Sequence, residues 1–308
     1  MATTRTSSRA NDVERRAELK TEQHIPVRNL RFDLDPERLR DWHPGGPVIT
    51  AFFNNLSIFF PAGERFFIRS VRAHRGHVTD PVLREQVRGF CGQEGVHNRE
   101  HQRYNEMLEA QGYPIAEMEA RVERLLAFVE KTFPPRMCLA ATAALEHFTA
   151  TMGHFLLTEP ELLEDAAAPM RDLWRWHSAE ENEHKAVAFD VYMAAGGNYP
   201  ERAFAMVVAT VLFWAKVVEH QARMMKADGT AWRPGSWLRF GDILVGEAGV
   251  LRGLLRPYLD YFRPSFHPWD VDNRALVEEW ARRLVETGSY GAADPHGGSE
   301  VPPAATRG

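Results

Sequence analysis

HSAEENEH, residues 177–184, is the stretch that decides the fold. It sets His177, Glu181 and His184 at steps of four and three, and a helix brings such positions onto one face. Apolar residues continue this face on both sides, with Leu173 before it and Ala188 after it. Charged groups within a buried stripe are costly unless they are paired or bind a metal. The segment therefore predicts a buried helix whose three polar side chains share a cation.

A second Glu-x-x-His motif occurs upstream, at Glu94 and His97. One isolated glutamate precedes each motif in an apolar helical stretch: Glu64 precedes the first motif and Glu146 precedes the second. Two such motifs and two single glutamates, each on its own helix, are the ligand set of a two-metal site in a four-helix bundle. The sequence thus predicts an all-α fold, a four-helix bundle with additional helices, and a dinuclear site in its interior.

Helices are expected over most of the chain. Asp80 and Pro81 form a typical helix start, and Gly196 and Gly197 form a typical stop. Pro61 predicts a break or kink just before Glu64. The expected helices cover residues 47–74, 81–110, 115–133, 135–157, 162–195, 200–226, 237–261 and 271–287.

Composition sets the broad class of the protein. The chain has 308 residues, 44% of them hydrophobic, which is enough for one substantial core. A net charge of -5 without a basic patch argues against nucleic acid as a partner. The sequence has no secretory signal and no run of the ~18 apolar residues that a transmembrane segment requires, so a cytoplasmic protein is expected. A single helical domain is predicted at residues 25–288, between disordered segments at 1–24 and 289–308.

The ligand chemistry narrows the choice of metal. Four glutamates with neutral imidazoles carry a formal charge of about -4, which two divalent ions would balance. A mixture of carboxylate and imidazole suits iron or manganese, so two Fe ions are expected, with Mn as the alternative. Structural zinc sites usually contain thiolates, and neither Cys91 nor Cys138 has the spacing to supply one. His101, one turn beyond His97, is expected to contact a ligand, although a ligand role and a surface position stay open.

The order of these residues resembles two known groups of proteins. Glu64, Glu94-x-x-His97, Glu146 and His177-x-x-x-Glu181-x-x-His184 resemble the ferritin-like diiron carboxylate proteins, and the additional His177 resembles the para-aminobenzoate N-oxygenase branch. The chain from Ile25 to Leu284, including Phe266-His267-Pro268-Trp269, also resembles a bacterial family called predicted metal-dependent hydrolase. The first resemblance implies a ferritin-like bundle that binds two irons through these seven side chains.

The leading functional hypothesis is therefore an enzyme: a non-haem diiron oxygenase (monooxygenase) or oxidase that uses dioxygen and an electron donor to oxidise a small organic substrate. Glu94 and Glu146 are expected as candidate bridges between the metals, Glu64 and Glu181 mainly as terminal or shifting ligands, and His97, His177 and His184 as the imidazole ligands. A dinuclear metal-dependent hydrolase is the alternative, and metal storage is a third, non-enzymatic one. A homodimer is compatible with the sequence. The surrounding rings predict an apolar pocket, with plain core packing as the simpler alternative: Phe53, Phe60, Phe67, Phe90 and Trp174.

Overall fold

The computed structural model describes residues 14–247 and 249–286, and within those ranges it contains helices and no strands. The all-α prediction is confirmed. The helices are α1 (residues 14–22), α2 (Pro47–Ala73), α3 (Pro81–Ala110), α4 (Ile115–Thr132), α5 (Pro135–Thr158), α6 (Ala168–His184), α7 (Val187–Ala194), α8 (Tyr199–Ala227), α9 (Pro234–Val245), α10 (Val250–Tyr261) and α11 (Arg274–Glu286).

Helices α2, α3, α5 and α6 form a bundle at the centre of the molecule. Helix α2 packs against α3 and α5, and α6 closes the ring by packing against the same two helices. These are the four helices on which the sequence places the candidate ligands. Helix α8 covers α2 and α5 from outside, and α11 covers α6. The additional helices therefore cover the outer sides of α2, α5 and α6.

Prolines mark the beginnings of the bundle helices. Asp80 precedes Pro81 and accepts a hydrogen bond from the backbone N–H of Val82 at 2.9 Å, which caps α3. Helix α2 begins at Pro47, directly after Gly46, whose φ of 90° suits glycine. Both start positions agree with the expectation from sequence.

Helix α2 is continuous through Pro61, where a break or kink was expected. Proline has no N–H, so the carbonyl of Ser57, four residues earlier, loses its helical partner. The side chain of Asn105 on α3 replaces that partner, because its Nδ2 donates to the Ser57 carbonyl at 3.2 Å. A cross-helix hydrogen bond thus offsets the defect and joins α2 to α3 beside the bundle interior.

The structure differs from three expectations about where helices begin and end. Helix α6 ends at His184, and α7 begins after a two-residue turn, so the expected helix 162–195 is interrupted. The expected helix 237–261 is divided into α9 and α10, with Gly246 and Gly249 between them. Residues 14–22, within the segment expected to be disordered, are helical, and Leu19 is buried. Residues 1–13 and the expected C-terminal tail lie outside the described residues.

Gly153 permits the close approach of α5 to α6. A Cβ atom at this position would lie 2.9 Å from the carbonyl oxygen of Ser178 and 3.1 Å from the side chain of Asn182. Because one of these neighbours is backbone, it has little room to move. We expect Gly153→Val to destabilise the protein by about 1–3 kcal/mol, as overpacking of a core does. Chemical denaturation should show this loss, whereas Gly95→Val, at an open and exposed position of α3, should cause none, because valine forms helix at least as well as glycine.

Candidate metal centre

The four bundle helices bring all seven predicted ligands into the interior. Each of these side chains is at most 3% exposed. They form two clusters, and within each cluster the potential ligand atoms lie within 4.8 Å of one another. The first cluster contains Glu64, His97 and His177, and the second contains Glu94, Glu146, Glu181 and His184. The predicted convergence is therefore present in the structure, whereas metal binding by these residues stays a prediction.

Unpaired atoms show that these residues fit cations. Both carboxylate oxygens of Glu64, Glu94 and Glu146 are buried without a hydrogen-bond partner. Nδ1 of His97 and Nε2 of His184 also lack one. Buried polar atoms are nearly always paired, and unpaired carboxylates are especially costly. Divalent cations would supply a partner to at least one of these atoms in each residue.

Glu181 joins the two clusters. Its Oε1 lies 2.9 Å from Nε2 of His177 and 3.6 Å from Nδ1 of His97, both in the first cluster. Its Oε2 lies 3.5 Å from Nε2 of His184 in the second cluster. A mainly terminal or shifting role was expected for Glu181. The structure places its carboxylate between the histidines of both clusters, where it could contact two cations.

Without metal, burial makes the ionised form of most carboxylates in the centre unfavourable. Burial raises the pKa of Glu64 and of Glu94 well above the usual range, and neighbouring carboxylates add to the effect. Burial also raises the pKa of Glu146 to about 7. Burial opposes charge on Glu181 and His184 too, but their mutual attraction outweighs it, so the pKa of Glu181 is lowered and that of His184 is raised. Without metal, the centre therefore disfavours negative charge on Glu64, Glu94 and Glu146 and favours an ion pair between Glu181 and His184.

His97 is oriented by a carboxylate. Its Nε2 donates to Glu180 at 3.0 Å, and Glu180 in turn accepts a hydrogen bond from Arg28 at 2.9 Å. Arg28 also pairs with Glu183 and so compensates two buried carboxylates of α6. Burial lowers the pKa of His97 well below its usual value, so the ring is neutral. With the proton on Nε2, the lone pair of Nδ1 is directed to the first cluster.

His184 is oriented by an amide. The side chain of Gln93 donates through Nε2 to Glu183 at 2.6 Å and to the Pro26 carbonyl at 3.0 Å, which fixes its oxygen as the acceptor. That oxygen lies 3.0 Å from Nδ1 of His184 and accepts its proton. Nε2 of His184 therefore faces the second cluster, where it lies 3.2 Å from Glu94.

His177 is oriented by a hydrogen-bond chain that begins at Glu119. Asn105 donates to Glu119 at 2.8 Å, so the Asn105 oxygen accepts from the Ser57 hydroxyl at 2.8 Å. Ser57 then accepts from Nδ1 of His101 at 2.9 Å, and Nε2 of His101 accepts from Nδ1 of His177 at 2.6 Å. Burial lowers the pKa of His101 well below its usual value, which keeps this ring neutral. Nε2 of His177 lies on the opposite side of the ring, 2.9 Å from Glu181, in agreement with the predicted supporting role of His101.

We expect His101→Phe to weaken metal binding by about 10–100-fold, as loss of a group that orients a ligand does. Phenylalanine fills a similar volume but leaves Nδ1 of His177 without an acceptor. Titration of the metal-free protein with Mn²⁺ would measure the change. His101→Gln, whose amide oxygen can accept the same proton, should recover part of the affinity, and His77→Phe at an exposed position should have no effect. Equal affinities in His101→Phe and the wild type would contradict the chain.

The orienting residues Gln93, Glu180, Ser57 and Arg28 were not found from sequence. Gln93 and Glu180 each lie next to a ligand in the chain, and neighbouring helix positions point about 100° apart, so neither falls on the predicted inward stripe. Both are buried because other segments pack over them. The sequence contains one sign of such partners, the run EENE at residues 180–183. Three nearby carboxylates in one buried helix need cationic partners.

Two cavities reach the centre. The α8 groove lies between α2, α4, α5 and α8, contains about 1190 Å³ of empty space including its mouth, and ends at Glu64. The α9 cavity lies between α2, α5, α6 and α9, contains about 1280 Å³ on the same basis, and ends at His177 and Glu181. Phe60 lines both cavities, and its ring centroid lies 4.3 Å from that of His177.

The five rings predicted to surround the centre are all near it. Phe90 lies 4.9 Å from the His184 ring, and Trp174 lies 5.5 Å from the His101 ring, between centroids. Phe67 lines the α8 groove, whereas Phe53 and Trp174 line the α9 cavity. Substrates of the centre would therefore meet mostly apolar walls.

Comparison with known proteins gives one match. A family described as predicted metal-dependent hydrolase matches residues 26–272, whereas neither the curated proteins nor the solved structures include a significant match. This description agrees better with the hydrolytic alternative than with the oxygenase hypothesis. It does not bear on the resemblance to ferritin-like diiron proteins, which stays a prediction. Because the matched region contains the whole central bundle and all seven convergent side chains, the chain belongs to the family of predicted metal-dependent hydrolases.

Proposed function

We propose that the protein is a dinuclear metal-dependent enzyme that hydrolyses a small, largely apolar substrate. The observation that carries the proposal is the set of seven buried side chains in two adjoining clusters, with their unpaired atoms. Membership of the family supports hydrolysis as the reaction. Glu64, His97 and His177 would hold one cation, Glu94, Glu146 and His184 the other, and Glu181 would contact both.

The chain's own residues define how a substrate would be held. Two divalent cations would act as Lewis acids that polarise a substrate oxygen and stabilise the charge that develops on it. The α9 cavity would admit the substrate to His177 and Glu181, with Phe53 and Trp174 against its apolar part. Arg239 and Asp242 supply the polar groups of this cavity on the α9 side. Phe60 lines the same cavity beside the first cluster, with its ring centroid 4.3 Å from that of His177.

Oxidation with dioxygen is the second candidate, and a specific observation favours it. The donor set has four carboxylates and three imidazoles without a thiolate, a combination that suits iron, and aromatic rings surround it. Two Fe ions, or Mn, are proposed for either reaction. An oxygenase would also need an electron donor.

One set of assays separates the two reactions. Metal analysis should give two ions per chain in the wild type and fewer in Glu64→Gln. We expect the Mn²⁺-loaded protein to hydrolyse members of a panel of apolar esters and amides under strict anaerobiosis. If the Fe²⁺-loaded protein takes up oxygen and no substrate is hydrolysed under anaerobiosis, the reaction is oxidation with dioxygen and not hydrolysis. More than two ions per chain without turnover would favour storage.

A further inference from the structure

Exposed apolar side chains are concentrated on three neighbouring helices. Trp232 is 85% exposed, Leu238 76% and Val211 62%, values that are unusual for such large hydrophobic residues. Most other exposed large apolar residues of the described chain lie in the same region. We call this surface the α8–α10 face, and its apolar members are Phe204, Val207, Val211, Leu212, Val218, Trp232, Trp237, Leu238, Val245, Leu255 and Leu259.

Helices α8 and α10 meet at Thr210 and Tyr258, whose hydroxyl oxygens lie 3.4 Å apart. Phe148 of α5 stacks on Phe213 of α8 and on Tyr258 of α10, with centroid distances of 6.0 and 5.9 Å. Helix α9 packs against α10. A shallow cavity at the C-terminal end of α8 is lined by Lys226 of α8, by Trp232 of the following loop and by residues of α9. The exposed side chains thus belong to a connected part of the surface.

The same region carries excess positive charge. Residues 199–263 contain nine Lys and Arg against six Asp and Glu, a net +3 in a chain of net charge -5. Five of the six acids are in ion pairs, for example Glu201 with Arg136 and Asp228 with Arg40. Within the described chain, four exposed basic residues of this region have no carboxylate partner: Lys226, Arg233, Arg252 and Arg256.

The free basic residues alternate with the apolar ones. On α10, Arg252 and Arg256 are three residues from Leu255 and Leu259 respectively, so they form adjacent stripes on the helix. Lys226 lines the shallow cavity with Trp232, Trp237 and Leu238. Long basic side chains beside tryptophan and leucine are typical of helices that lie in the interface of a membrane.

Helix α8 is bound to the bundle along one side. By length and composition it is the one helix among those described that could cross a membrane. However, its Arg202, His220 and Gln221 are buried, and Gln221 donates to the Val48 carbonyl of α2 at 3.1 Å. A helix fixed in this way can present its outer side to a lipid surface without leaving the protein.

We propose that the α8–α10 face docks on an anionic lipid surface. Apolar side chains would enter the interface, and the four free basic residues would meet the lipid headgroups. Charge argues against a second copy of the chain as the occupant, because a symmetric contact would bring these unpaired cations close to their equivalents. The α8–α10 face lies outside the metal centre, and its members Phe204 and Leu212 also line the α8 groove. Lipid docking does not depend on the proposed function.

Sedimentation of the full chain with vesicles tests the proposal. We expect binding to vesicles of equal parts phosphatidylcholine and phosphatidylglycerol, little binding to phosphatidylcholine alone, and weaker binding at high salt. Arg252→Gln with Arg256→Gln should weaken binding roughly 30-fold, since each basic residue near an anionic surface contributes about five-fold. Leu255→Ser with Leu259→Ser should weaken it at least about ten-fold.

Matched variants elsewhere on the surface serve as controls. Phe128→Ser on α4 and Arg75→Gln remove an exposed apolar and an exposed basic side chain away from the face, and we expect neither to change binding. If the leucine variant does not fold, the arginine variant still tests the electrostatic part. Failure of the wild type to sediment with the anionic vesicles at low salt, or an equal loss in the controls, would overturn the proposal. A dimer in light scattering that the leucine variant dissociates would also overturn it, in favour of a second copy.

Discussion

Glu181→Gln is expected to reduce the metal content below two ions per chain and to abolish turnover. Glutamine has the same shape but is neutral, and Glu181 is the carboxylate that contacts His97, His177 and His184. Both clusters lose a donor in this one variant. We therefore expect a larger loss of metal affinity than the roughly 10–100-fold caused by removing an orienting partner.

Metal analysis and Mn²⁺ titration would measure the effect. Glu106→Gln, an exposed position on α3, is the matched control and should retain two ions. Glu180→Gln is a second comparison, since Glu180 touches only His97 among the predicted ligands, and its loss should be smaller. Two tightly bound ions in Glu181→Gln would show that this carboxylate does not join the metals.

Removal of metal is expected to lower the melting temperature, and the difference between the two forms should grow from pH 5.5 to pH 7.5. The pKa of Glu64, of Glu94 and of Glu146 is raised, so the metal-free fold holds protons in this range that the unfolded chain has released. Each of these groups makes the metal-free fold less stable as pH rises. His184, whose pKa is also raised, stabilises it below pH 6.5 and loses that contribution as pH rises through its folded pKa.

Cations displace these protons, so the metal-bound form avoids the loss. Buried histidines with a lowered pKa, such as His101 and His147, make the fold more stable as pH rises. This effect is present with and without metal, so it cancels in the difference between the two melting temperatures. At a metal concentration 100 times the Kd of one site, the stabilisation is about 2.7 kcal/mol, or roughly 4 °C for a chain of 308 residues. Thermal unfolding with EDTA or Mn²⁺ would measure it.

Calorimetry gives an independent check of the same prediction. Metal binding measured in two buffers with different ionisation enthalpies should show net release of protons. A stabilisation by metal that stays constant or shrinks between pH 5.5 and pH 7.5 would contradict the assignment of raised pKa values to the ligands.

The sequence predicted the part of this site that depends on local periodicity. Glu64, Glu94, Glu146 and the His177–His184 segment could be found because a buried polar group repeats with the apolar stripe of its own helix. The orienting contacts of Gln93 and Glu180 depend on a segment more than sixty residues away in the chain, so helical periodicity contains no sign of them. The turn after His184 and the division between α9 and α10 depend likewise on packing rather than on periodicity alone.

The hydrogen bonds of Arg28 limit the order in which the protein can fold. It precedes its acceptors Glu180 and Glu183 by 152 and 155 residues, so it is synthesised long before they exist. A nascent chain that has not yet produced α6 holds only Glu64, Glu94, His97 and Glu146, without the carboxylate that joins the clusters. Closing so long a loop is slow relative to forming the helices. The proposed binding of two cations thus requires that α6 has been synthesised and has packed against the N-terminal segment, and a chain that ends before α6 would hold an incomplete set of the predicted ligands.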